Sequence, residues 1–283
     1  MVIESIINPI KAERRPWQMI FFGLFYTIIG VFLALWVFEE HASLVFVFFT
    51  VMAFVPLIYS TISLEEKKDV LESKESILLF EHSRALSFFG FMFLGVTIGC
   101  VLCYVLLPEQ ITNLLFQIQT ETIININSHI TGDAVNSFNL FTAIFFNNLK
   151  VLIFCILFAF VYGVGAIFIL VWNASVIGTA IGNVIRSNVI NLANNAGLVN
   201  IGNYFHIISF AFLKYAIHGI PEILAYFIGG LAGGIISIAV IRHDVGTNKF
   251  ETILVDAADM LVISIVFLII AAGLEVYITP LIG

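Results

Sequence analysis

Three ionisable residues stand at intervals of four in an apolar stretch: Lys214, His218 and Glu222. Gly219, Ile220 and Pro221 separate the last two. An amine, an imidazole and a carboxyl group so placed could handle protons or ions, or hold helices together as a polar cluster. An ionisable side chain in lipid costs roughly 2.5–3.5 kcal/mol on insertion scales, so other groups of the protein should offset it. No further catalytic signature accompanies the trio. The chain has no Ser-His-Asp arrangement, no P-loop and no phosphate-cradling glycine motif. One His and one Glu fall short of the three or four ligands zinc takes, and His206 lies about three turns away on another face. Neither a metal nor a cofactor is therefore expected.

The elements that hold these residues follow from length. The run from Tyr204 to Ile241 has no other charge. As one helix it would be about 57 Å long, against a hydrocarbon core of about 30 Å. Two passes are expected, with a turn at Gly219. Pro221 suits the first position of a new helix, and Glu222 would sit in its first turn. Lys214 would then lie one turn below on the partner helix. If the turn is sunk in the membrane, the three groups form a buried cluster. If it lies at the outer surface, Lys214 snorkels up to it.

Composition gives the class. The chain is 60% hydrophobic and 11% charged, with a mean hydropathy of +1.07. Soluble domains keep about a quarter of their residues charged. The expectation is an all-α polytopic membrane protein, because the apolar segments are too long for barrel strands. Uncharged spans run from Trp17 to Phe38, Ala42 to Leu64 and Ala85 to Leu107. Pro56 is expected to kink the second. Val151 to Ile185 is too long for one pass and is broken at Trp172-Asn173, which leaves Ala174 to Ile185 as a re-entrant or interfacial helix. A last span covers Met260 to Tyr277. With the two passes around Glu222, this makes seven crossings plus the re-entrant piece. The first span offers no small-residue cleavage site, so it reads as an anchor rather than a signal peptide.

Basic residues orient this arrangement. With the N-terminus inside, ten of the twelve fall on the cytoplasmic side, Arg186 among them, and the C-terminus lies outside. Lys150 falls outside and Lys214 within a span. A nucleic-acid role finds no basic patch. Cys100, Cys103 and Cys155 all lie in spans, where small apolar packing outweighs redox chemistry. The outer loop, Pro108 to Asn148, carries helical apolar spacings at Ile111, Leu114, Leu115 and Ile118, and again at Phe138, Phe141, Phe145 and Phe146. Two amphipathic helices on the outer leaflet and a lid packed on the bundle both fit. Phe250, Ile253, Leu254 and Ala257 form a similar stripe on the inner side. Ala225, Gly229 and Gly233, and likewise Gly230 and Gly234, are spaced by four as in close-packed membrane helices, and Gly178 and Gly182 repeat the spacing. Asn147, Asn148 and Asn173 are expected at the ends of the fourth span.

The order of these residues resembles the stage II sporulation protein M family. It runs from an Asn before an apolar span, through Asn173 with Gly178, to His218-Gly219-Ile220-Pro221-Glu222 and a glycine-rich helix. The resemblance covers residues 85–283 and leaves 1–84 as a separate N-terminal hairpin with a charged cytoplasmic loop. It marks Asn148, Asn173, His218, Gly219 and Glu222 as the family-type positions. It implies a non-enzymatic membrane scaffold that gathers membrane or cell-envelope proteins, with the lipid bilayer as its other partner and a homo-oligomer open. A transporter or channel using Lys214, His218 and Glu222 is the alternative, and a membrane hydrolase the weakest reading.

Overall fold

The computed structural model describes residues 15–71, 75–133, 137–163, 165–196, 201–241 and 245–281. All regular structure among them is helical. After a 3-10 turn at Pro16–Gln18 come α1 (Met19–Val37), α2 (Ala42–Leu71) and α3 (Glu75–Leu106). Two shorter helices follow, α4 (Glu109–Leu115) and α5 (Gln117–Asp133). The remainder is α6 (Ser137–Tyr162), α7 (Ala166–Ala196), α8 (Ile201–Ile241) and α9 (Asn248–Tyr277). Seven of these are long and apolar enough to cross a membrane: α1, α2, α3, α6, α7, α8 and α9. The protein is an all-α, multi-pass membrane protein.

The number seven is as expected, but two of the helices are partitioned differently. The first difference is in the long uncharged run. It breaks not at Trp172-Asn173 but at Gly163, whose φ of 69° lies in the left-handed region that glycine enters without steric cost. Asn173 sits inside α7 and donates its side-chain Nδ2 back to the Ile169 carbonyl at 2.8 Å. Ala174 to Ile185 is therefore part of a full crossing and not a re-entrant piece.

The second difference is at Gly219, where there is no turn. The chain runs through His218, Gly219, Pro221 and Glu222 as one 41-residue helix. At about 60 Å this helix is longer than the hydrocarbon core is thick, so it is steeply tilted or extends past the apolar zone. It is also the core of the bundle. In its most apolar stretch 83% is buried, against 28% for α1, α6 and α9. It packs on α2, α3, α6, α7 and α9. A proline in a membrane helix is tolerated when neighbouring helices support the freed backbone group, and α8 is surrounded by such neighbours.

One pass gained at α7 and one lost at α8 leave the parity unchanged. Lys249 remains at the same end of the bundle as Arg15 and Lys67. Arg186 moves to the opposite end, where its guanidinium donates to the Tyr104 carbonyl and to Thr112 Oγ1, each at 3.2 Å. The start of the fourth span also moves. Phe138 to Phe146 is the opening of α6 and not a separate surface helix, so Asn147 and Asn148 lie within that helix. The stripe at Phe250 to Ala257 likewise belongs to the continuous α9.

The two short helices α4 and α5 pack as a lid on one end of the bundle. Leu115 and Phe116 are fully buried, and Phe116 meets Phe46 and Tyr104 edge to face or tilted. A polar clasp fixes α5. Ser43 Oγ donates to Gln119 Oε1 at 2.7 Å, and Gln119 Nε2 donates to the Ser43 carbonyl at 3.0 Å. The same Nε2 reaches Ser175 Oγ at 3.4 Å. All three residues are buried. Within α1 and α2, Thr27, Thr50 and Thr61 return their hydroxyls to the carbonyl four residues back, so these side chains meet lipid depth with their polar atoms satisfied.

Glycine contacts set the helix spacing. A side chain on Gly233 would meet the Ile156 carbonyl of α6 at 2.7 Å, and one on Gly234 the Gly163 carbonyl at 3.0 Å. Gly229 faces Leu152, and Gly230 faces Ala166. Ala225 is fully buried on the same helix. Gly178 and Gly182 lie against Cys100 and Tyr104 of α3. A further seam not anticipated from sequence joins Gly23 of α1 to Met92 and Val96, and Gly95 of α3 to the backbone of Ile20. Gly273 of α9, by contrast, has open space beside it. Gly233→Leu should therefore destabilise the protein by about 1–3 kcal/mol or more through overpacking, while Gly273→Leu should be near neutral. Thermal unfolding of the two variants in detergent checks this, and equal melting temperatures would contradict the seam.

Candidate functional site

The three residues first singled out sit on successive turns of α8. They are not folded back on one another, so Lys214 and Glu222 are about 12 Å apart along the helix axis and do not pair. What the continuous helix does is turn His218 and Glu222 toward other helices. His218 Nδ1 lies 3.1 Å from Thr279 Oγ1, just beyond the end of α9. Glu222 Oε1 accepts a hydrogen bond from the Tyr226 hydroxyl at 2.8 Å. The donor is thus one turn further along the same helix, and it is neither His218 nor Lys214. Tyr226 is fully buried and Glu222 partly so.

The contact between His218 and Thr279 also sets the register of α8 against α9. The helices run antiparallel, so one turn on from His218 is Glu222 and one turn back from Thr279 is Glu275. That register puts Glu222 and Glu275 at one level of the α8–α9 contact, where their charges interact. Tyr226 feels both of them, and Cys155 of α6 as well. Sequence reading missed Glu275 and Tyr226. Glu275 was visible as the one acidic residue in an otherwise apolar last span, and Tyr226 as a phenol four residues from Glu222.

Asn148 completes the surroundings. Ile144, Asn148, Leu152, Cys155 and Ala159 form the buried stripe of α6. Ile144 packs with Ala272 and Val276 of α9, and Leu152 lies against Gly229 of α8. Asn148 stands midway between them and is only 6% exposed. The sequence-derived set thus separates into two groups. Asn148, His218 and Glu222 line the junction of α6, α8 and α9, whereas Asn173 bonds within α7. Gly219 has open space beside it, and Lys214 is partly buried two turns from Glu222. The free cysteines Cys100 and Cys155 are buried and Cys103 partly so, consistent with packing.

The family model for stage II sporulation protein M matches residues 24–280. The chain belongs to that family. The match takes in most of the opening hairpin as well as the region from residue 85 onward. In keeping with this, residues of α1 and α2 share one apolar core with α3, α6, α7, α8 and α9. No curated protein and no solved structure matches the chain. As a stage II sporulation protein M family member it has a polar junction on three helices, with a Tyr–Glu hydrogen bond at its centre.

That bond yields a direct expectation. Tyr226→Phe keeps the ring but removes the only hydrogen bond that Glu222 receives among the described residues. It should lower stability by roughly 1.5–3 kcal/mol, the range for a hydrogen bond to a charged group. Thermal unfolding in detergent measures it, and a melting temperature equal to that of the parent would mean the bond has no structural role.

Proposed function

We propose that this family member is a non-enzymatic membrane scaffold that assembles or anchors membrane or cell-envelope partners. The supporting observation is a tightly packed centre. The cavity between α2, α3, the Gly163 turn, α7 and α8 holds about 20 Å³ and is lined by residues such as Ile58, Phe89, Leu170 and Phe227. That is room for a single water in an apolar place that would stay dry. The clasp at Ser43, Gln119 and Ser175 holds the lid down on the outer end. A bundle packed at its centre suits a part that presents surfaces more than one that passes a solute. Its apolar exterior, including Phe21, Phe25, Phe32 and Trp36 of α1, suits lipid or a neighbouring membrane protein.

The same reading sets the orientation. Arg15, Lys67, Arg84 and Lys249 cluster at one end of the bundle, and the positive-inside rule puts that end in the cytoplasm. The N-terminus is then inside, and the C-terminus and the lid are outside. The transporter reading keeps one observation in its favour, the polar junction at Glu222.

Two measurements test this reading. A single cysteine replacing the exposed Gln110, in a background without Cys100, Cys103 and Cys155, should react with an impermeant thiol reagent from outside intact cells. Reaction only after the inner face is opened would reverse the orientation. A photo-crosslinking residue at Glu121 on the lid should give discrete protein adducts in native membranes. Absence of adducts together with ion flux into reconstituted vesicles would replace the scaffold with a transporter.

A further inference from the structure

Arg186 is a half-buried cation on α7, at the end of the bundle that carries the lid. One turn earlier, Gly182 lies against Tyr104, which brings α7 close to the last turn of α3. There the Arg186 guanidinium donates through Nη1 to the Tyr104 carbonyl and to Thr112 Oγ1, each at 3.2 Å. Thr112 is buried and gives its own proton to the carbonyls of Leu107 and Pro108, so its oxygen is free to accept. Both acceptors of Arg186 are neutral. Among the described residues Arg186 makes no ion pair, and its Nε and Nη2 donors have no acceptor. Glu109 also acts on Tyr104 electrostatically, but it is exposed and makes no ion pair with Arg186. A charge taken partly out of water calls for a counter-charge. The depth of the guanidinium is a second observation. Gly99 of α3 packs on Thr27 of α1, and the two helices run parallel, so Trp36 near the end of α1 stands level with Pro108 just past the end of α3. Trp36 and Leu106 are both largely exposed. An exposed tryptophan at the end of a span marks the headgroup zone, and Arg186 bonds the chain on either side of that level.

From this geometry we infer that the free edge of Arg186 binds the phosphate group of a phospholipid in the leaflet on the lid side. A guanidinium is planar and carries donors on both edges. Its Nη1 is held by two acceptors that belong to α3 and α4, which fixes the plane. The Nε and Nη2 donors then form a fork that matches two oxygens of one phosphate. A lysine at this position could offer only a point charge. The headgroup supplies the anion that the protein does not, and its acyl chains would lie along the apolar exterior. A lipid so held would stand where α3, α4 and α7 meet. The inference depends neither on the scaffold reading nor on which end of the bundle faces the cytoplasm.

The test uses the purified full chain, delipidated in detergent. Phosphatidylglycerol is titrated in while thermal unfolding is followed. The parent should show a saturable rise in melting temperature. Diacylglycerol with the same chains, and inorganic phosphate at the same concentration, should give none. Arg186→Lys keeps the charge but not the fork, and should raise the midpoint concentration about tenfold or more. Lys150→Gln, which removes an exposed cation on α6, should leave the midpoint unchanged. If Arg186→Lys does not fold, the parent itself gives the answer: phosphatidylglycerol should protect Arg186 from modification by phenylglyoxal, read by peptide mass spectrometry, and diacylglycerol should not. An Arg186→Lys protein with the midpoint of the parent, or an Arg186 that phosphatidylglycerol leaves unprotected, would overturn the inference. A full response to inorganic phosphate alone would assign the fork to a free anion instead of a lipid. Loss of the protein adducts formed at Glu121, with the lipid response of Arg186→Lys intact, would assign it to a carboxylate of a partner protein.

Discussion

A bilayer core offers no water, so every polar group placed in it must find its partner inside the protein. That constraint falls hardest on α8, which carries Lys214, His218, Glu222 and Tyr226 in one apolar helix. The helix meets it without interrupting its backbone. Tyr226 bonds Glu222 within the helix, Thr279 meets His218 from just beyond the end of α9, and Lys214 is left partly exposed. Because the polar side chains are satisfied by neighbours, α8 has no need of a turn at Gly219. It becomes the buried axis on which five other helices pack.

Close approach of those helices is the second requirement, and it is met by small residues. The face of α8 that carries Gly229, Gly230, Gly233 and Gly234 lies against α6, the Gly163 turn, Ala166 of α7 and Ile62 of α2. Directly above it on the same helix is Glu222. The glycine seam and the polar junction are thus one surface. Glycines bring α6 close to α8, and the contact of His218 with Thr279 holds α9 in register. On the far side of the bundle, Gly23 and Gly95 draw α1 onto α3 in the same manner. This joins the opening hairpin to the core.

Much of this was legible in the sequence. Composition and span length gave the all-α membrane class, and the glycine spacings identified the packing face of α8. Of the residues singled out, His218 meets Thr279, Glu222 accepts from Tyr226 and Asn148 lies on the buried stripe of α6. The misread points have physical causes. Length alone argued that the run from Tyr204 to Ile241 must fold back, since a helix of that length exceeds the bilayer. Length does not reveal that a helix is tilted or runs past the membrane surface. Asn173 reads as a helix end because asparagine often caps one, but its amide bonds within its own helix. The true break at Gly163 carried its own signal, a Gly-x-Gly pair after an apolar run. Glu275 was passed over because its partner is far away in sequence, and only the antiparallel register of α8 and α9 brings the two together.

The account stands on α8 being a single unbroken helix. Spin labels on cysteines replacing Asn203 and Ile241, in a background free of other cysteines, report this by pulsed electron–electron double resonance in nanodiscs. An unbroken helix separates the two positions by about 57 Å. A hairpin turning at Gly219 would bring them onto one side of the bundle, roughly 15 Å apart. A distribution centred near the longer distance is the expected result, and one centred near the shorter distance would contradict the account.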